Sequence, residues 1–129
     1  MFLCSLVLAT TLAISDLHEQ YSDIEIRSEK IQLQIEKVFT QTEMNALAKK
    51  KRDLWYSEVL VLINYISEYD KSVIKTHEIW EKNTKEKIVE SLKMYSGSIY
   101  ECMYYMEEAN AYEDRAITLL ELIARKKYK

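Results

Sequence analysis

Residues 54–66 read LWYSEVLVLINYI, and this stretch decides the fold. Trp55, Val59, Leu62 and Ile66 recur at steps of four and three, the spacing of one face of an α-helix. Tyr69, Val73, Thr76 and Trp80 carry the same alternation onward. Leu54, Leu60, Val61 and Ile63 make the first half apolar nearly all round, which predicts the most buried helix of the molecule. The spacing predicts one helix from a candidate N-cap at Asp53 to Asn83–Thr84. There Asn83 can cap a new helix with Glu86 three positions on.

Upstream, Leu17, Tyr21, Ile24, Ser28, Ile31, Ile35 and Val38 form an earlier stripe, with Ile26 and Leu33 widening it. Asp16 and Glu19 have the spacing of a capping box at its start. The helix is expected to end at Lys49, Lys50, Lys51 and Arg52, cations placed where a helix C-terminus favours them. A competing break lies at Thr40, where Thr40 and Glu43 make a capping box and Phe39 with Met44 a hydrophobic staple. Downstream, Ile88, Leu92, Tyr95, Ile99, Cys102, Met106, Ala109, Glu113, Ala116, Leu120 and Ile123 keep one phase through Ser96-Gly97-Ser98. That continuity predicts a single long third helix, kinked near Gly97. Gly97 also suits the position just past a helix end, with Ser98 and Glu101 capping a fresh helix, so a hairpin is the alternative.

The expected fold is therefore all-α: an antiparallel three-helix bundle, up-down-up, or a coiled coil built from the same heptads. Composition agrees. The 129 residues include no proline and one glycine, the residues that punctuate the turns of β and α/β domains. With 48% hydrophobic and 30% charged residues the chain is not of the disordered class. Its length fits one domain, expected over residues 16–129.

Residues 1–15, MFLCSLVLATTLAIS, contain no charged side chain. The apolar run is too short for a bilayer span, which takes roughly 20 residues, so no stable membrane span is expected. It fits the core of a signal peptide, with Ala13 and Ser15 as the small residues before a cut that leaves Asp16 first. The expected localisation is secreted, with a retained N-terminus in a cytoplasmic protein as the alternative. Removal of Cys4 would leave Cys102 as an odd thiol, a candidate for an intermolecular disulfide or a buried inert residue.

Chemistry-bearing patterns are sparse. His77 and Glu81 share a helix face, but two ligands do not close a zinc site, and the pair is expected on a solvated polar face. No glycine-rich phosphate loop can be built from one glycine. No nucleophile stands beside a base, and Cys102 lies on an apolar stripe, where burial raises a thiol pKa. Hence no catalytic residue, metal ligand or cofactor is expected, and the chain is not expected to be an enzyme. The net charge of −3 gives no reason to expect nucleic acid.

Two features point to partners. Tyr100, Met103, Tyr104, Tyr105 and Tyr112 crowd one segment, and both residue types are enriched at protein interfaces. They are candidates for a partner surface, or for the rim of the bundle's own packing. The basic runs Lys49, Lys50, Lys51, Arg52 and Arg125, Lys126, Lys127 would meet at one pole if the third helix is unbroken. The leading expectation is a secreted, non-enzymatic helical protein acting through protein–protein contact, including a homo-oligomer. Its alternatives are a carrier of apolar small molecules or lipid in the Met/Tyr-rich interior, and an intracellular scaffold.

Overall fold

The computed structural model describes residues 2–127, with side chains from Ile14 to Lys126. The described chain is all-helical, and it forms four helices rather than three: α1 (Phe2–Lys37), α2 (Gln41–Ser67), α3 (Ser72–Ser91) and α4 (Gly97–Lys127). None of them is long and apolar enough to cross a membrane, among the described residues.

All three turns differ from the simplest expectation, each for a local reason. The first turn is the competing one at Thr40, whose extended backbone lets its hydroxyl accept the Glu43 N–H at 3.2 Å. The staple does not form, because Phe39 is 99% exposed. Lys49–Asp53 lie inside α2 instead of ending a helix, and Lys51 Nζ donates to Gln32 Oε1 across to α1 at 3.1 Å. Asp16 and Glu19 likewise lie within α1 and open nothing.

The second turn falls at residues 68–71, between α2 and α3, where Asp70 accepts both the backbone N–H and the hydroxyl of Ser72. Asn83 and Thr84 are interior to α3. The third turn is a hairpin, not a kink. Gly97 has φ +69°, the left-handed region that only glycine enters without strain, and α4 starts there after the reversal at residues 92–96.

Cross-helix contacts give the chain direction. Trp55 Nε1 donates to Ser28 Oγ at 2.9 Å and Lys51 reaches Gln32, so residue numbers rise on α2 as they fall on α1. Arg52 meets Glu108, Tyr56 meets Tyr112, and Tyr69 meets Lys126, so α2 and α4 run parallel with a near-constant register. Trp80 meets Tyr112 while Ile88 lies beside Glu108, so α3 and α4 are antiparallel. The path is up-down-up-down, and α2 is the one helix packed against all three others among the described residues.

The core follows that arrangement. Trp55, Val59 and Leu62 of the opening stretch are completely buried, as their spacing predicts. Facing them, Ala109, Ala116 and Leu119 of α4 are equally buried, and the alanines allow the parallel pair to approach closely. On α1 the buried positions are Leu17, Ile24, Ser28, Ile31 and Ile35, while Ile26 and Leu33 face outward rather than widening the stripe.

Candidate functional site

The Tyr/Met segment divides along α4. Tyr100 and Tyr104 are half-buried and stacked, with centroids 6.0 Å apart, and Tyr105 meets Tyr104 edge-on. Met103 is half-buried beside them. Arg52 anchors the group: its guanidinium lies 4.8 Å from the Tyr105 ring centre while Nη1 donates to Glu108 Oε1 at 2.8 Å. Burial and the neighbouring Glu108 push the Tyr104 hydroxyl above its ordinary pKa. Tyr112 is different. At 3% exposure it is core, packed between Tyr56 and Trp80 at centroid distances of 5.3 and 5.8 Å, so it is no partner surface. The hairpin causes this, because it folds α3 back over the face of α4 that a straight third helix would have left open.

The two basic runs do not share a pole. Lys126 is level with Tyr69, so Lys50 lies about 28 Å away along the axis at 1.5 Å per residue. The first run is also partly engaged: Lys51 is buried against Gln32, and Arg52 is paired with Asp53 and Glu108. Lys49 and Lys50 are exposed, and Lys50 lines a shallow groove of about 490 Å³ between α1 and α2 with Arg27, Lys30 and Asp53. At the other end Lys126 Nζ sits 3.7 Å from the Tyr69 ring centre, beside an exposed Arg125. The side chain of Lys127 lies outside the described residues.

Cys102 is half-buried on α4 and carries a free thiol. The side chains of residues 1–13, with Cys4 and most of the expected export segment, lie outside those described.

His77 corrects an expectation. It is not on a solvated face but 7% exposed, stacked on Trp80 with ring centres 5.6 Å apart and planes 21° from parallel. Its Nε2 is 3.3 Å from Glu81 Oε2 without the alignment of a hydrogen bond. Burial holds its pKa below the ordinary value against the pull of Glu81, so the ring is neutral at pH 7. No group of three or more metal-ligating side chains forms among the described residues.

Two ionisable side chains that the sequence did not single out, one buried and one half-buried, have buried polar atoms without partners. Glu58 faces the core from α2 at 1% exposure, with neither carboxylate oxygen hydrogen-bonded, and burial pushes its pKa up to about 7. Its signal was available, since it is the one charged residue in LWYSEVLVLINYI. Arg115 on α4 lies 5.2 Å from the Trp80 ring centre, and its Nε and Nη2 are buried with no hydrogen-bond partner. It has no sequence signal, because its burial depends on α3 lying across it.

Arg115 lines a cleft of about 650 Å³, where the end of α2, the start of α3 and the end of α4 converge. Ile66, Val73 and Leu122 give it apolar walls, and Arg125 and Lys126 stand at its edge. By contrast, the space between α3 and α4 beside Trp80, Ile88 and Tyr112 is too tight to admit water.

No protein-family model, no curated protein and no solved structure matches the chain.

Proposed function

We propose that this is a secreted, non-enzymatic helical protein that acts by binding another protein, and that the contact is made at the pole carrying its first and third turns. One observation carries this reading. Because α2 and α4 are parallel, the turn at residues 38–40 and the turn at 92–96 lie at the same end. That end presents Phe39 at 99% exposure and Met94 at 91%, with Tyr95 and Ile99 also exposed. Turns are ordinarily built from polar residues and glycine, and clustered exposed apolar side chains mark interaction surfaces.

The non-enzymatic part rests on where the two most strongly perturbed groups lie: Glu58 and Tyr112 face packed core rather than a water-filled site.

A photo-activatable phenylalanine analogue at position 39, in protein expressed by its native host, tests the contact. The expected result is a cross-linked protein adduct that disappears when Met94 and Ile99 are both changed to serine. An adduct of twice the chain mass identifies the partner as a second copy. No adduct from position 39, with none from position 94, overturns the proposal. Mass spectrometry of the same material should find Asp16 at the N-terminus, and Met1 or Phe2 there would overturn export.

A further inference from the structure

We infer that the cleft at the opposite end, where α2, α3 and α4 converge, is a binding site for a long-chain carboxylate, with the acyl chain against Ile66, Val73 and Leu122 and the carboxylate drawn to Arg115.

Arg115 supplies the main reason. A guanidinium stays charged at any pH at which the protein folds, so it cannot relieve its burial by losing a proton. Its Nε and Nη2 are shut off from water without a hydrogen-bond partner, and no ion pair to it forms among the described residues. The Trp80 face partly compensates the charge but accepts no hydrogen bond in the plane of the guanidinium. The half-buried side chain lines the cleft, so an anion held there would supply the partner that the protein itself does not.

The surroundings choose the class of anion. Arg125 and Lys126 add two cations, whereas the one acid on the lining, Asp70, already accepts two hydrogen bonds from Ser72. The cleft is thus electropositive, but its walls are mainly hydrocarbon, which suits neither a free inorganic anion nor a polar acidic peptide. At about 650 Å³ it lies within the roughly 300–1,000 Å³ of small-molecule sites. An amphiphile with one negative end satisfies both walls and charges. This site is independent of the apolar turn pole, so either can fail without the other.

Titration calorimetry of the folded full chain with laurate, kept below its micelle concentration, is the test. Saturable one-to-one binding is expected, with dodecanol about tenfold weaker because it lacks the charge-assisted contact, and dodecyltrimethylammonium not bound. Arg115→Gln should weaken laurate by about tenfold while bringing dodecanol and laurate together. Leu122→Glu, a change at a half-open wall position, should weaken laurate without disturbing the fold and so covers the case in which Arg115→Gln unfolds. Equal binding of laurate and dodecanol to the native protein would reduce the cleft to a greasy patch and overturn the proposal. Binding of polyglutamate as tight as laurate would assign the cations to an acidic chain, and an absence of saturable laurate binding would likewise overturn it.

Discussion

Each side of the α2–α4 seam hides polar atoms of an ionisable group without a partner, and the two sides meet the problem differently. On one side, Glu58 is 1% exposed and near enough to Tyr21 of α1 for its charge to bear on that hydroxyl. On the side covered by α3, Arg115 lies against Trp80 and the cleft. A carboxyl group can shed its charge by binding a proton, and the rise of the Glu58 pKa to about 7 is that response. A guanidinium cannot, so Arg115 remains a cation at a half-open edge. The pair Arg52–Glu108, nearly two turns nearer the N-termini of α2 and α4, shows the third solution, mutual compensation at 2.8 Å. Burial alone therefore does not define a site. What matters is whether the buried group can become neutral where it stands.

The largest expected effect comes from Trp55→Ala. It removes a fully buried ring and its hydrogen bond to Ser28, and should destabilise by about 3–5 kcal/mol in denaturant titration. A loss below about 1 kcal/mol would mean that Glu58 does not sit in a packed core at all.

Glu58→Gln comes next and is the sharpest test of the comparison. The folded pKa of about 7 lies above the reference 4.5, so the folded state holds this proton more tightly than the unfolded chain. The associated stability is complete below pH 4.5 and is lost as pH rises through 7. At pH 8 the variant should be more stable than the native protein by about 3 kcal/mol, falling to near zero at pH 4.5. His77 works in the opposite sense, since its lowered pKa costs stability as pH falls below 6.5. The quantity to measure is therefore the difference between variant and native at each pH, in which His77 cancels. A pH-independent difference would show that folding leaves the Glu58 pKa unshifted.

Gly97→Ala probes the hairpin that places α3 over Arg115. A Cβ there meets nothing within 4 Å, so the expected loss of about 1–2 kcal/mol is conformational alone, from φ +69°. A gain in stability would indicate that the α3–α4 turn is not as described. The smallest effect is expected from Arg115→Gln in ligand-free protein. Relief of an unpaired charge opposes loss of the Trp80 contact, leaving a change of about 1 kcal/mol or less that does not vary between pH 5 and 8. A loss above about 3 kcal/mol would reveal a structural partner for Arg115 and end its contrast with Glu58.

The helical class, and the burial of Trp55, Val59, Leu62 and Ile66 on one face, were legible from the residues. A four-three alternation is a local property, and the absence of proline left helices as the economical way to satisfy the backbone. The turn at residues 68–71 was not legible. Its four residues are close to one helical turn, so the stripe from Trp55 to Trp80 keeps its phase straight through the break. The same blindness hid the hairpin at 92–96, where Tyr95 and Ile99 match the stripe by spacing but are exposed.

Everything built on those reversals needed the tertiary structure. The parallel pairing of α2 with α4 separates the basic runs, turns Tyr112 and His77 inward, brings Phe39 and Met94 to one end, and leaves Arg115 facing the cleft at the other. Periodicity states which side of a helix is apolar. Which neighbour covers that side is set by where the chain reverses, and in this protein two short turns kept the helical phase while changing the direction.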